Sequence, residues 1–125
     1  MVIEHKIKGY ENFVEFIGSV DSKGKPVYIY YSGDKVDGQS WCPDCVRAEP
    51  VVREQLKHAD PESLFVYVEV GDRAFWKDPQ CPFRKDTKTK LMQVPTLVRW
   101  GGPQKLAGDQ CEKPELVEML FTDED

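Results

Sequence analysis

The sequence contains 125 residues, of which 40% are hydrophobic and 31% are charged, and its formal net charge at pH 7 is −5. A chain of this length buries roughly two-thirds of its unfolded surface, enough for an ordinary core, so we predict a single domain over residues 1–125. The composition argues against a disordered, membrane or nucleic-acid-binding protein. Residues 1–8 lack the features of a secretory signal, and no stretch approaches the ~20 apolar residues of a membrane span, so we expect a cytoplasmic protein.

The first part of the chain predicts a helix, a strand and a loop. Apolar residues recur at helical spacing between positions 10 and 20, and turn-forming residues follow. Residues 27–31 are an unbroken run of β-branched and aromatic side chains, which is typical of a strand covered on both faces. Residues 32–40 are polar and include Gly33 and Gly38, so we predict a loop there.

The rest of the chain continues the alternation of helices and strands. A helix is predicted from Pro43 to about position 60, with Cys45 on its apolar face. The elements after it are a buried strand, one or two short helices in a basic segment, a hairpin and a final helix, at residues 64–70, 72–93, 96–107 and 114–121. This order is typical of an α/β fold, with helices flanking one mixed central sheet.

The most informative string is Trp41-Cys42-Pro43-Asp44-Cys45, at the predicted start of the second helix. The unpaired N–H groups and partial positive charge of a helix start stabilise a thiolate, so we expect the pKa of Cys42 to lie below the ordinary value of ~8.5. Cys45 lies against the apolar side of the helix. We therefore predict that an exposed Cys42 thiolate attacks a substrate disulfide and that Cys45 then resolves the mixed disulfide.

A pair of cysteines separated by two residues is also typical of half a zinc site. A structural zinc site usually needs a second closely spaced ligand pair. Cys81 and Cys111 are far apart in the sequence, and His5 and His58 pair with neither. We therefore predict no metal, and interpret Cys81 and Cys111 as inert thiols, with a regulatory disulfide as the alternative.

Further motifs carry a family resemblance over the whole chain. Trp41, the two motif cysteines, Pro50 inside the helix and Val94-Pro95-Thr96 before a strand resemble the thioredoxin superfamily. Residues 41–53 and the Phe-Trp-Lys-Asp-Pro string at 75–79 are similar to the Clot family of fourteen-kilodalton thioredoxin-related proteins, also called the thioredoxin domain-containing protein 17 family. The resemblance implies a thioredoxin-like three-layer fold.

The resemblance also implies a biochemical setting. Members of the family are cytosolic, hold no bound cofactor, and take electrons from NADPH through thioredoxin reductase. They reduce small or selected disulfides such as cystine. Mammalian members are also linked to dynein light chain and to tumour necrosis factor signalling. We accordingly expect a monomeric disulfide reductase whose partners are thioredoxin reductase and its disulfide substrates.

The resemblance assigns roles to residues around the cysteines. Pro95 from its sequence alone could be an ordinary proline at a strand start, since only ~5% of X–Pro bonds are cis. By similarity to the superfamily it is cis and lies beside the disulfide, which leaves the Val94 backbone to pair with an extended substrate. Trp41 is interpreted as a partly exposed substrate platform, with a core aromatic as the alternative. Pro43 and Asp44 shape the site.

Two departures from ordinary thioredoxins affect the details. Those proteins carry a buried aspartate in the strand before the motif, whereas residues 27–31 contain no carboxylate, so Asp44 and Glu49 are the candidates for its role. Residues 33–40 and 72–93 are longer than the corresponding thioredoxin segments. We expect both to border the active site and to narrow the range of substrates.

Two alternatives to a reductase remain at this stage. An oxidant or isomerase of the same fold would need a compartment that keeps the cysteine pair oxidised. A non-catalytic binding module, whose redox state switches its affinity for a partner, would retain its function without Cys42.

Overall fold

The computed structural model describes residues 2–123, which form a central sheet with helices on both faces. The sheet has five strands in the order β1-β5-β2-β6-β7. The strands are β1 (Ile3–Lys8), β2 (Val27–Ser32), β3 (Lys35–Val36), β4 (Gln39–Ser40), β5 (Leu64–Glu69), β6 (Thr96–Arg99) and β7 (Lys105–Ala107), of which β3 and β4 form a separate hairpin. The helices are α1 (Tyr10–Ser19), α2 (Pro43–Gln55), α3 (Arg73–Lys77), α4 (Pro82–Lys85) and α5 (Pro114–Thr122), with short 3₁₀ turns at Leu56–His58 and Gly108–Glu112.

The sheet is mixed, as predicted. Strand β5 pairs in parallel with β1 and β2, whereas β6 is antiparallel to both β2 and β7. All residues of β2 are buried, which confirms the prediction from its unbroken apolar run. The parallel pairing places the carboxyl ends of β2 and β5 at the same edge of the sheet, close to the beginning of α2.

The two faces of the sheet support two hydrophobic clusters, because successive side chains of a strand point to opposite faces. Ile29 and Tyr31 of β2 belong to the cluster that includes Phe13 of α1 and Phe83 of α4. The alternate residues of β2 pack with Ala48 and Val52 of α2 and with Val117 of α5. The chain therefore has the three layers that the sequence predicts.

Three elements differ from the sequence prediction. Strand β1 was not predicted, because its alternating charged residues are largely exposed at the edge of the sheet and lack the continuous apolar run of β2 and β5. Residues 32–40 were predicted as a loop and instead contain the short hairpin β3–β4. The 3₁₀ turn at Gly108–Glu112 was also missed. No helix among residues 2–123 is long and apolar enough to cross a membrane.

Candidate active site

The two motif cysteines lie at the beginning of α2, as predicted. Cys42 is the N-cap residue, and its sulfur accepts a hydrogen bond from the backbone N–H of Cys45 at 3.2 Å. The N–H of Cys42 donates to the Ser40 hydroxyl at 3.1 Å, and Pro43 begins the helix at a position that needs no backbone donor. The positive end of the helix therefore faces the Cys42 sulfur.

The prediction that Cys42 is exposed is wrong. Only 5% of its surface is accessible, and Cys45 is buried further, at 1%. Cys42 lines a cavity of about 410 Å³ together with Val94 and with residues of the motif and of the 72–93 segment, among them Trp41, Asp44, Trp76 and Arg84. A substrate disulfide must enter this cavity to reach the sulfur.

The local hydrogen bonds lower the pKa of Cys42 to about 7. The largest cause is a hydrogen bond from the Cys45 side chain, and the backbone N–H groups of Cys45 and Asp44 act in the same direction. Partial burial and the negative charge of Asp44 oppose them. Cys42 is therefore substantially ionised near neutral pH, as the position at the helix start predicts.

Cys45 has the opposite character. Its pKa is raised, first because it donates a hydrogen bond to Cys42 and then because it is buried. The backbone of Gly33 and the side chain of Ser32, at the end of β2, act against this rise in the pKa of Cys45 but do not reverse it. The Tyr30 hydroxyl donates to the Cys45 carbonyl at 3.0 Å. The pair thus combines one ionisable thiol that reaches the cavity with one protonated thiol behind it.

The Val94–Pro95 peptide bond is cis, which confirms the expectation from the resemblance. The Val94 carbonyl accepts from the Cys42 thiol at 3.7 Å, so this backbone lies directly beside the reactive sulfur. Pro95 directly precedes β6. The cis bond therefore lies where β6 begins, at the end of the sheet that is next to α2.

Trp41 is partly buried and held on two sides. Its Nε1 donates to the Gly71 carbonyl at 2.9 Å, and its ring lies against Gly33, where a Cβ would be 2.5 Å from the ring. Its ring also lines the cavity at Cys42. The Trp41 side chain is therefore held in one position, packed against the core on one side and facing the cavity on the other.

Residues 33–40 and 72–93, the two segments longer than in ordinary thioredoxins, are placed differently around the site. Arg73, Trp76, Lys77 and Arg84 of the 72–93 segment line the cavity, as expected. Residues 33–40 also border the active site, because the Ser40 hydroxyl accepts from the Cys42 N–H and Gly33 lies against the Trp41 ring, but they do not line the cavity. Part of this segment lies along α2, where Lys35 binds Glu49 at 3.1 Å. The side of the cavity formed by the 72–93 segment is thus lined by the basic residues Arg73, Lys77 and Arg84.

The other two cysteines are buried away from this cavity and are free thiols. Burial raises the pKa of Cys111 to about 12. Its sulfur lies near the carbonyls of Leu106 and Pro95, at 3.5 and 4.0 Å. Cys81 precedes α4 and is 2% exposed. Their interpretation as inert thiols stays a prediction.

Several neighbours of the cysteines were not identified from the sequence. Ser32, Tyr30 and Tyr67 belong to strands, and only the pairing of β2 with β5 brings them under α2. Arg73 and Arg84 were recognised as part of a basic segment but not as cavity residues. The one available signal was the position of Ser32 directly after a buried strand, at the edge where α/β sites commonly form.

The charge of Asp44 gives a first testable expectation. Asp44 is about half exposed and forms an ion pair with Arg47. Its negative charge raises the pKa of Cys42. Asp44→Asn should therefore lower the pKa of Cys42 below about 7, by less than about one unit because solvent screens an exposed charge. A more stable thiolate should also make the disulfide form more oxidising.

Thiolate absorbance titration and redox equilibration against glutathione measure these two effects. Glu112→Gln is the matched control, because it also removes a partner of Arg47, which binds Glu112 at 3.1 Å, but keeps the charge of Asp44. An unchanged or higher Cys42 pKa in Asp44→Asn, with an unchanged potential, would show that this carboxylate does not act on the thiolate.

Comparison with known proteins agrees with this geometry. Residues 6–123 match the family model described as thioredoxin domain-containing protein 17-like, thioredoxin domain. The chain is 49% identical to thioredoxin domain-containing protein 17 of Danio rerio and 45% identical to that of Homo sapiens, in each case over 97% of this chain and 96% of the relative. It is 42% identical to the thioredoxin-like protein Clot of Arabidopsis thaliana, over 80% of this chain and 78% of that protein.

Solved structures show the same fold at lower identity. Oxidised thioredoxin O1 from Arabidopsis thaliana superimposes with a TM-score of 0.58 at 21% identity, over 94% of this chain and 97% of that one. Fasciola hepatica thioredoxin gives a TM-score of 0.58 at 16% identity, over 94% and 96% of the two chains.

The fold, the cysteine pair at a helix start and the neighbouring cis-proline define a thioredoxin-fold thiol-disulfide oxidoreductase. Within that class, the chain belongs to the thioredoxin domain-containing protein 17-like family, which includes the Clot proteins.

Proposed function

We propose that this protein is a cytoplasmic, monomeric disulfide reductase in which Cys42 is the nucleophile and Cys45 the resolving thiol. The observation that carries the proposal is the contrast between the two thiols. Cys42 has a pKa of about 7 and reaches a cavity, whereas Cys45 is buried with a raised pKa. A thiol that is ionised near the ambient pH attacks well, and one that stays protonated does not compete with it for the substrate.

The reaction follows in two exchanges. The Cys42 thiolate attacks one substrate sulfur, the substrate S–S bond breaks, and the other sulfur leaves as a thiolate that takes a proton from solvent. Cys45 then loses its proton and attacks the Cys42 sulfur. The second substrate sulfur leaves, and Cys42 and Cys45 form a disulfide. Two electrons have passed from the protein to the substrate.

The groups around Cys42 suit an extended substrate. The backbone at Val94 and Pro95 lies beside the sulfur, where it can pair with the substrate main chain, and Trp41 and Pro43 offer apolar surface. Since Cys42 is nearly enclosed, small or locally flexible disulfides should enter more easily than those held rigidly in a large protein surface.

The electrons are proposed to come from NADPH through thioredoxin reductase, with no cofactor bound to the chain itself. The similarity to thioredoxin domain-containing protein 17 supports this source. Cystine is the proposed representative of the small substrates, and dynein light chain is carried over as a candidate binding partner.

NADPH consumption in the presence of thioredoxin reductase tests the proposal directly. The panel contains cystine, insulin and a large folded protein with a structural disulfide. We expect turnover with cystine, slower turnover with insulin and little with the large protein. Cys42→Ser serves as the blank. No turnover with any of the three would overturn the reductase assignment, and faster reduction of the large protein would overturn the selection by size.

A further inference from the structure

The cavity at Cys42 carries positive charge that the exchange between the two cysteines does not use. Among residues 2–123 its lining includes one acidic side chain, Asp44, and three basic ones, which we call the cavity cations: Arg73, Lys77 and Arg84. The chain as a whole has a formal net charge of −5. The side of the cavity that holds the cavity cations therefore has the opposite sign to the average of the molecule.

The cavity cations have no carboxylate of their own chain as a partner. Within residues 2–123, none of them forms an ion pair with an Asp or Glu side chain. The acidic neighbours Asp72 and Asp78 accept instead from backbone N–H groups a few positions further along the chain. The cavity cations thus present charge that an anionic group of a ligand can neutralise.

Arg84 is held in place by Trp76. Its Nε donates to the Trp76 carbonyl at 2.7 Å, and its guanidinium lies over the Trp76 ring, 4.0 Å from the ring centre. Trp76 is itself 3% exposed, so this support is firm. The bond through Nε leaves the two terminal nitrogens of Arg84, and a planar guanidinium can present such a pair to both oxygens of one carboxylate. Because the side chain is already ordered, binding costs it little further freedom.

Asp44 does not cancel this charge. It is about half exposed and forms an ion pair with Arg47, which does not line the cavity. Asp44 also belongs to the motif, whereas the cavity cations all belong to the 72–93 segment. A bound molecule with an anionic group is therefore favoured when its sulfur faces the motif and its anionic group faces the cavity cations.

The size of the cavity suits a small molecule. Its volume of about 410 Å³ lies in the range of pockets that hold small ligands. Cys42 provides the reacting sulfur, and Trp41, Trp76 and Val94 add apolar surface around it. A disulfide with a carboxylate a few bonds from its sulfur can use the thiolate, the apolar surface and the charge together.

We propose that this protein selects low-molecular-weight disulfides that carry a carboxylate near the sulfur, and that its specificity-determining residues are Arg73, Lys77 and Arg84. The inference rests on the proposed reductase function. The Cys42 thiolate bonds to one substrate sulfur, and the other sulfur leaves with the electrons of the broken bond and takes a proton from solvent. Cys45 then loses its proton and displaces the first sulfur. The protein dithiol is oxidised to a disulfide, and the substrate is reduced to two thiols that carry carboxylates.

A series of disulfides of matched length tests the selection by charge. Dithiodipropionate, bis(hydroxyethyl) disulfide and cystamine carry a carboxylate, a hydroxyl and an ammonium group, respectively, at the same spacing from sulfur. The reduced protein is mixed with an excess of each, quenched with acid at timed intervals and alkylated, and its intact mass gives the fraction with the Cys42–Cys45 disulfide. Each rate constant is divided by that of dithiothreitol with the same compound, because the three S–S bonds differ in intrinsic reactivity.

We expect the normalised rate constant to be about tenfold higher for dithiodipropionate than for bis(hydroxyethyl) disulfide, and lowest for cystamine. Arg84→Gln should lower the ratio of the first two by about threefold to tenfold, because it removes an ordered guanidinium. Arg73→Gln and Lys77→Gln should lower it by about twofold to threefold, because solvent screens these exposed charges more. The ratio isolates recognition, since a general loss of activity affects both disulfides of one variant equally.

Two controls and a change of salt separate local recognition from other effects. Lys88→Gln removes one positive charge from the same segment at a position that does not line the cavity, and should leave the ratio within about 1.5-fold of the wild type. Arg84→Lys keeps the charge and should retain more of the ratio than Arg84→Gln. Raising the ionic strength from about 0.01 M to about 1 M should bring the wild-type ratio towards one, because the screening length falls from about 30 Å to about 3 Å.

The outcomes separate this inference from the proposed function. If none of the three disulfides oxidises the wild type, the reductase function and the selection both fail. If all three react at equal normalised rates, or if cystamine reacts fastest, the selection alone is overturned. A preference for dithiodipropionate that Arg73→Gln, Lys77→Gln and Arg84→Gln leave unchanged, or that Lys88→Gln reduces equally, would overturn the assignment to the cavity cations.

Discussion

Cys45→Ser is expected to accumulate a covalent adduct with cystine on Cys42, and Cys42→Ser is expected to form none. The nucleophile is needed for the first exchange, whereas the resolving thiol acts only on the mixed disulfide. Both variants should lose steady-state reduction almost completely. The structure supports this division because Cys42 lines the cavity, while Cys45 is 1% exposed.

Intact-mass spectrometry after exposure to cystine, followed by peptide mapping, measures the adducts. Cys111→Ser is the matched control, because it removes a buried thiol that lies outside the cavity and should behave like the wild type. Equal adduct formation by Cys42→Ser and Cys45→Ser would contradict the assignment of the two roles.

Phe83→Ala is expected to lower the free energy of unfolding by about 3–5 kcal/mol, as truncation of a buried aromatic side chain usually does. Phe83 is fully buried, and its ring lies 5.1 Å from that of Tyr10, 5.8 Å from Phe13 and 6.3 Å from Tyr31. Phe83 packs α4 against the core and, together with Trp76 and Leu91, holds the 72–93 segment there. The loss should therefore also loosen the selection of substrates by size.

Denaturant unfolding of Phe83→Ala and the wild type gives the change in stability. Phe75→Ala is the control of the same residue type in the same segment. Phe75 is 42% exposed, so its truncation should cost less than about 1 kcal/mol. A loss of similar size in both variants would mean that Phe83 does not anchor the segment as its ring contacts indicate.

The sequence was most informative where a local pattern determines a local structure. The buried runs in β2 and β5 were recognisable because both faces of these strands are covered. The beginning of α2 was recognisable because the Pro after Cys42 suits the first helical position. These features predict the fold class and place both cysteines. The cis bond before Pro95 followed from the family resemblance and not from its local sequence.

Features that depend on pairing between distant segments were not predictable in this way. The surroundings of Cys42 were misjudged because residues that line the same cavity, such as Trp76 and Arg84, come from a segment more than thirty positions away in the sequence. The alignment of Ser32 with Glu69 at the ends of β2 and β5, which puts Tyr67 within reach of Glu49, is a matter of strand register. Register depends on the packing of whole faces and not on the residues it brings together.

Peptide mapping of the disulfide that forms in the wild-type protein tests the central claim most directly. The reduced protein, treated with one equivalent of cystine at pH 7, is quenched with acid and alkylated before digestion. We expect a single intramolecular disulfide between Cys42 and Cys45, with Cys81 and Cys111 recovered as alkylated thiols and two cysteines released per protein. A product whose disulfide involves Cys81 or Cys111, or one in which cysteine stays attached to Cys42, would contradict the mechanism.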